Sequence, residues 1–485
     1  MLSQALRDEL AAIVGRANVH DGPAQLIAYS YDGTFQQHLP DVAVSPTTTD
    51  QVAAILRLAY REGLPVVPRG GASSLAGGTI PETGGIVLNL ARMNRILEID
   101  RANSCAVVEA GVVTARLQAA AEAEGLFYPP DPSSLNQSTL GGNVACNAGG
   151  PRCLKYGVTK DYVLGMTVVL ADGRILRLGG KLIKNVTGYQ LAQLFVGSEG
   201  TLGVITEPIL RLIPLPRHRA TAVAVFRSLD DAGVAVTAVM QAGVLPVALE
   251  LMDNLCINLV EDYLHAGLPR EAEALLLLEQ DGNDPAAVRG EVEVMAGICR
   301  AHGAVEVRLA QDEQQRAELW AVRRAVSPAL GRAARNKLGE DIAVPRSQIP
   351  AMVRRIQEIG RQFGLTIPVF GHAGDGNVHP NILFDRTRPG ELERVEQAAA
   401  AIFRAALELG GTLSGEHGIG TLKREFLLEA LGPEVVAVMR AIKQALDPKG
   451  ILNPGKVFPL RAGETGRAQP GFLLALPALA GLGPE

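Results

Sequence analysis

The chain has 485 residues, 47% of them apolar, and a net charge of −5. This length and apolar fraction exclude a disordered protein and imply two or three packed domains. A mildly negative balance with no basic cluster excludes a nucleic-acid partner.

Five scattered cysteines, Cys105, Cys146, Cys153, Cys256 and Cys299, form no C-x-x-C pair. That excludes a local iron–sulfur or zinc-ribbon motif and suits reduced thiols in a cytoplasmic protein. Charges run through Met1–Ala12, so no signal peptide is expected. The apolar run Gly471–Gly483 is too short to span a bilayer and contains Pro477, so no transmembrane segment is expected.

An N-terminal helical segment and loop are expected over 1–37. Asp50 is the expected N-cap of a helix over Gln51–Glu62, whose Val52, Ile55, Leu56 and Ala59 recur at helical spacing. Pro65–Pro68 then starts extended chain. Gly70, Gly71, Ser73, Ser74, Gly77 and Gly78 follow before a second apolar strand that ends at Asn89. Glycines let successive main-chain N–H groups approach an anion, and two serine hydroxyls add donors, so a diphosphate is a reasonable ligand.

Strand-like runs recur at Ile96–Asp100 and Cys105–Ala110, with a helix near Thr114–Glu124. Tyr128–Gly150 combines three prolines with Ser133, Ser134, Asn136, Ser138, Thr139 and paired glycines, the composition of a ligand-binding surface. Val168–Leu170 and Ile175–Leu178, joined through Ala171-Asp172-Gly173, read as a hairpin. A third glycine-rich run spans Gly197–Glu207, and Pro214 and Pro216 mark a boundary. No G-x-G-x-x-G opens a helix, so a nicotinamide-type fold is unsupported.

The runs PVVPRGGASSLAGG, PPDPSSLNQSTLGGNVACNAGG and GSEGTLGVITE resemble the FAD-binding domain of the vanillyl-alcohol oxidase superfamily. Within it the chain resembles the FAD-linked D-2-hydroxy-acid dehydrogenases, in the branch of glycolate oxidase FAD subunits and D-lactate dehydrogenases. The resemblance runs from about residue 40 to about residue 458. It implies an α+β chain: a two-subdomain FAD-binding domain, a ferredoxin-like α/β cap and a C-terminal helical segment that returns to the flavin. The corresponding boundaries are 38–217, 218–410 and 411–458, followed by a loose tail over 459–485.

The resemblance also implies that Pro68, Arg69, Gly70, Gly71, Ala72, Ser73, Ser74, Leu75 and Gly78 wrap the FAD diphosphate. Pro130, Asp131, Pro132, Ser133, Thr139, Gly142, Asn143, Gly149, Gly157, Val204 and Ile205 would line the remainder, and Asn453 matches a residue that returns to the flavin. Some relatives bind flavin covalently through a histidine beside the paired glycines. Ala72 stands there, so the FAD is expected to be non-covalent.

From Arg219 the pattern changes. Thr221–Phe226 and Ala274–Glu279 read as strands and Asp230–Ala242 as a helix. In Leu319–Leu330, Arg323 and Ser327 are expected on one helical face. The resemblance makes Arg323 the holder of a substrate carboxylate, which its forked donors suit. Lys337 is the nearest candidate for a family lysine, at an unexpected distance from Asp341.

Three of the eight histidines lie in FGHAGDGNVHP and SGEHGIG, in glycine-rich polar settings. His372, His379 and Glu416 offer two imidazoles and a carboxylate, a set suited to Zn²⁺, Mn²⁺ or Fe²⁺. Asp375 and Asn377 are candidate supporting groups, and His417 is the candidate general base.

The resulting expectation is an FAD-dependent dehydrogenase of a small 2-hydroxy acid, glycolate or D-lactate. Its electrons would pass to an external electron acceptor or an iron–sulfur partner subunit, in the cytoplasm or at the inner face of the membrane through that partner. A homodimer is a further expected assembly. The alternatives are a flavin-dependent transferase of the alkyl-dihydroxyacetone-phosphate synthase type and an FAD subunit active only within a complex.

Overall fold

The computed structural model describes residues 2–459. The apolar run Gly471–Gly483 therefore lies outside the described residues. No helix among the described residues is long and apolar enough to cross a membrane.

Two sheets build the N-terminal half. The first orders its strands Val19–His20, Val42–Val44, Ile86–Asn89 and Val66–Arg69, the last three parallel to one another. These strands read as continuous apolar runs because parallel strands are covered on both faces. Helix Thr49–Glu62 packs on this sheet through Val52, Ile55, Leu56 and Ala59. Its cap is Thr48, whose hydroxyl accepts from Gln51 N. Asp50 instead sits in the first turn, where a carboxylate meets the positive end of the helix.

The second sheet is antiparallel, ordered Ile96–Asp100, Cys105–Val108, Val204–Arg211, Val163–Val169 and Ile175–Gly179. The hairpin expected around Ala171-Asp172-Gly173 is present, with Gly173 donating to the Leu170 carbonyl.

An eight-stranded sheet dominates the rest of the chain. Strands His218–Phe226, Ala248–Asp253, Ala274–Gly282 and Ala304–Leu309 occur in the spatial order fourth, first, third, second. With helices Leu229–Gln241 and Pro285–Ala301 this is the split βαβ arrangement of ferredoxin-like folds. Beyond Ala248–Asp253 the sheet continues through Val369–His372, Asn377–Phe384 and Asn336–Gly339.

The two faces of this sheet differ in what they carry. One face packs Ala222, Leu249, Leu276, Val369, Val378 and Ile382 into a core with the helices Ile349–Phe363 and Glu391–Glu408. The opposite face carries Val223, Met252, Leu275, Leu277 and Leu383. Register places Glu250 opposite His372, His372 opposite Asn377, and Phe370 opposite His379, so these side chains share that second face. A slip of one residue would turn all of them into the apolar core.

The single helix expected around Arg323 and Ser327 is two helices, Glu313–Arg324 and Val326–Ala333, meeting at Ala325. Pro328 has no N–H to donate back and crowds the preceding turn, which accounts for the break. After helix Pro433–Leu446 the chain returns, and Leu452 bridges Val66 at the edge of the first sheet.

Candidate active site

The hairpin Val369–His372 and Asn377–Phe384 presents two imidazoles to one point. The His372 and His379 ring centroids lie 5.2 Å apart at 86°. His372 Nε2 is 3.3 Å from Glu416 Oε1, and His379 Nε2 is 3.9 Å from Glu416 Oε2. One ligand atom from each of the three residues lies within 4.8 Å of the other two. With metal–nitrogen bonds of about 2.0–2.1 Å, a small contraction would bring all three onto one ion, so the donor set fits a divalent cation. Asp375 is not in that group. It is the one exposed residue of an otherwise buried turn and accepts from Asn377 N at 3.2 Å.

The two imidazoles differ electrically. Burial alone disfavours the His372 imidazolium, but Glu250 and Glu416 outweigh it and hold its pKa well above the ordinary value. Burial pushes His379 down to about 4. A metal arriving here must therefore displace a proton from His372.

Asp341 organises the loop that carries Glu416 and His417. Its Oδ2 accepts from Ser414 Oγ at 2.5 Å and from the main-chain N–H groups of Glu416 and His417 at 2.9 Å each. Its Oδ1 accepts from Asn377 Nδ2 at 2.6 Å. The His417 ring stacks on His379 at 5.5 Å and 18°. His417 Nδ1 and Asn377 Oδ1 are both buried without a hydrogen-bond partner. Unsatisfied polar atoms of this kind are costly and mark a place where a ligand completes the bonding.

Arg323 reaches the cluster from the helix Glu313–Arg324. Its Nε donates to Glu250 Oε2 at 2.7 Å, and its guanidinium lies 4.7 Å from the Phe370 ring centroid. Its side chain is 11% exposed, and neither Nη group makes a hydrogen bond among the described residues. Lys337 is not brought to the cluster. It pairs with Leu383, four residues along the strand from His379, and its Nζ donates to Ser327 Oγ at 2.7 Å.

The glycine-rich loops meet at the edge of the two N-terminal sheets. A Cβ on Gly70 would collide with Thr139, one on Gly71 with the Gln137 carbonyl, and one on Gly200 would lie 3.1 Å from Pro68. Ser74 Oγ accepts from Ala76 N and Gly78 N, at 3.3 and 3.1 Å. Among the described residues the main-chain N–H groups of Gly71 to Leu75 donate no hydrogen bond. Asn453 Nδ2 donates to the Gly78 and Glu199 carbonyls at 2.9 and 2.6 Å, and its Oδ1 is buried without a partner.

Residues 40–179 match the family model of an FAD binding domain, and residues 215–457 match that of FAD linked oxidases, C-terminal domain. The chain belongs to the FAD-linked oxidase family. This FAD-linked oxidase is 46% identical to a glycolate oxidase subunit GlcD of Bacillus subtilis, over 94% of this chain and 97% of the relative. It is 41% identical to GlcD of Escherichia coli strain K12, over 90% and 87%. It is 37% identical to a D-lactate dehydrogenase of Anaerostipes hadrus, over 86% and 89%. Among solved structures, 4-ethylphenol oxidase from Gulosibacter chungangensis superposes with a TM-score of 0.77 at 21% identity, covering 94% of this chain and 97% of that one. An alkyldihydroxyacetonephosphate synthase superposes at 0.75 with 20% identity, covering 94% and 86%. Those two likenesses establish the vanillyl-alcohol oxidase-type fold alone.

The glycine-rich loops of this FAD-linked oxidase fit the cofactor. Five successive N–H groups of the loop donate no hydrogen bond among the described residues and are available to an anion, and the buried Asn453 Oδ1 has no partner. Several residues expected to contact the cofactor also make other contacts. The Arg69 guanidinium turns away from the loop and donates to the Tyr31 and Ala28 carbonyls at 2.7 and 3.2 Å, so only its main chain is left for a phosphate. Asp131 is buried beside Arg152, and burial raises its carboxyl to about 7. Val204 and Ile205 give their side chains to two apolar cores. Gly157 is held at φ 83 where a Cβ would strike Asp161. Asn143 donates to Thr114 Oγ1 at 2.7 Å, which secures the short helix Leu140–Cys146 that carries the exposed Gly142.

Gly149 joins the flavin half of the FAD-linked oxidase to the His372, His379 and Glu416 group. A Cβ there would lie 2.8 Å from Glu416 Oε1 and 3.0 Å from Glu416 Cγ. Gly149→Ala is therefore expected to displace Glu416 and weaken Zn²⁺ binding on the order of 10-fold, with FAD content unchanged. Equilibrium dialysis against Zn²⁺ with a flavin absorbance count checks this, and unaltered Zn²⁺ affinity refutes it.

Two residues of the site, Glu250 and Asp341, were not recognised as functional groups in the sequence. Each lies in an ordinary strand-like stretch, and its partners are 36 to 122 residues away in sequence.

Proposed function

We propose that this chain oxidises a small 2-hydroxy acid, glycolate or D-lactate, to the 2-oxo acid. The observation that carries this is the buried Arg323, with both Nη groups free, beside the His372, His379 and Glu416 group and the unpartnered His417. An anion fork next to a cation site and a proton acceptor matches the carboxylate and adjacent hydroxyl of a 2-hydroxy acid. The glycolate oxidase and D-lactate dehydrogenase relatives, at 37–46% identity, agree with this substrate class.

When bound, FAD supplies a two-electron acceptor, and a divalent cation held by His372, His379 and Glu416 supplies Lewis acidity toward the hydroxyl. Arg323 holds the substrate carboxylate through its Nη pair. Phe370 under the guanidinium and Glu250 at its Nε keep the fork in one plane. His417 takes the hydroxyl proton at its ring nitrogen as the Cα–H bond breaks. The loop ordered by Asp341 keeps that nitrogen in place. The two electrons then leave for an external acceptor: a quinone, a cytochrome, an electron-transfer flavoprotein or an iron–sulfur partner subunit.

An anaerobic visible spectrum tests the reading. Glycolate, D-lactate, L-lactate and D-2-hydroxyglutarate are added in turn, before and after chelation. Glycolate or D-lactate is expected to bleach the flavin band, with bleaching lost on chelation and restored by Zn²⁺ or Mn²⁺. Bleaching that survives complete metal removal discards the metal role and keeps the dehydrogenase. No bleaching by any of the acids overturns the reading.

A further inference from the structure

Glu250 lies at the centre of the strand Ala248–Asp253 and is 1% exposed. Its two oxygens are divided between two partners. Oε1 is 2.5 Å from His372 Nδ1, and Oε2 accepts from Arg323 Nε at 2.7 Å. The strand neighbours on the same face, Ala248 and Met252, are buried and apolar, so the strand would accept an apolar residue at 250 if its charged partners were apolar too. Replacing a buried ion pair by apolar groups is often neutral for stability, so stability alone does not explain a carboxylate here.

The structure assigns Glu250 as a positioning residue that serves both the metal group and the carboxylate anchor. This rests on the roles given above to His372 and Arg323. A carboxylate accepts and never donates when ionised, so the contact at Oε1 requires the proton of His372 on Nδ1. That leaves Nε2 as the metal-facing atom, the one that lies 3.3 Å from Glu416. The contact at Oε2 engages the inner nitrogen of Arg323 and leaves the outer pair for a ligand. Because both groups hang from one carboxylate on a central strand, Glu250 also sets the spacing between metal and anchor. His372 and Arg323 are 122 and 73 residues from Glu250; the sheet register brings His372 to it, and the helix Glu313–Arg324 brings Arg323.

The test uses the FAD-loaded full chain and two variants, Glu250→Gln and Glu250→Asp. Gln keeps one acceptor but turns an amide N–H₂ toward the other donor. Asp keeps the charge and withdraws both oxygens by one methylene. Two readouts are taken without turnover. Zn²⁺ affinity is titrated against a competing chelator, with no organic ligand present. Oxalate binding to the metal-free protein is followed through the flavin spectrum. Both affinities are expected to fall, Zn²⁺ by about 10–100-fold and oxalate by a comparable factor, with FAD content retained.

A normal Zn²⁺ affinity in either flavin-loaded variant overturns the assignment, as does a change in only one of the two affinities. Loss of FAD from both variants also overturns it, because Glu250 would then be an element of the fold. The wild-type bleaching experiment decides the substrate reading separately, since neither readout here requires a hydroxy acid to be oxidised.

Discussion

His417→Gln is expected to lower the rate of anaerobic flavin reduction by about 10²–10⁴-fold, the usual contribution of a positioned general base. Gln keeps a polar side chain of similar reach but has no nitrogen that accepts a proton near neutral pH. The His417 main chain is held by Asp341, not by its own ring, so the loop should stay in place and both FAD and Zn²⁺ should remain bound. Burial lowers the imidazole pKa, although the Asp341 charge opposes that. The free base is therefore the form present at neutral pH. Wild-type reduction should fall only as the pH drops below the ordinary imidazole value of about 6.5, and the glutamine variant should lose that acid limb. A stopped-flow pH profile of flavin reduction checks both points. A normal rate in the flavin-loaded variant removes His417 from the role of base.

Asp341→Ala should cost more in structure than any other single change at the site. The carboxylate accepts from Ser414, two main-chain N–H groups and Asn377, and lies 3.9 Å from the Lys423 ammonium. Lys423 is itself 1% exposed and keeps Glu340 at 3.7 Å, so the substitution removes one of the two carboxylates beside a buried cation and leaves several donors unmet. Breaking a buried charge pair from one side costs about 3–5 kcal/mol. A urea unfolding series should show a loss of that order, with Zn²⁺ affinity falling as well because Glu416 loses its anchor. A loss under about 1 kcal/mol, the level of an exposed pair, would show that Asp341 is not the organising group.

The pH dependence of this contribution has a definite sign. Burial alone would raise the Asp341 carboxyl, but His417, Lys423 and His379 outweigh it and hold it well below the ordinary range. A carboxylate depressed on folding contributes stability that is complete above its unfolded value of about 3.9. That stability is lost as the pH falls from there through the folded value. The difference in stability between wild type and Asp341→Ala should therefore shrink on acidification, not on alkalinisation.

What the sequence made legible was local. The glycine-rich runs announce a nucleotide because glycine, serine and proline are concentrated within single stretches. The histidines stand out because they are few and sit among glycines away from any apolar pattern. Alternating strands, helices and turns mark a mixed α and β chain, while the ferredoxin-like cap and the two-subdomain FAD-binding domain follow from the family resemblance. Glu250 and Asp341 escaped because nothing in ALELMD or GEDIAV separates a functional carboxylate from a solvated strand residue. The identity of Glu250 lies in strand register, which pairs it with His372, and that of Asp341 in the loop donors that converge on it between two strands. Arg69 shows a different limit of the sequence. It sits inside the correct motif, but its guanidinium is claimed by carbonyls at 28 and 31. The break at Ala325 did have a local signal in Pro328, which outweighed the helical spacing of Arg323 and Ser327.

The bond from Asn453 to the Gly78 carbonyl joins residues 375 positions apart. On a translating ribosome the glycine-rich loop emerges long before the segment that fastens it. At about 5–20 residues per second, that interval is on the order of tens of seconds. Throughout it the nascent N-terminal half has its phosphate nest but lacks its clasp. The glycine-rich loop therefore gains this fastening only once the chain is complete through residue 453.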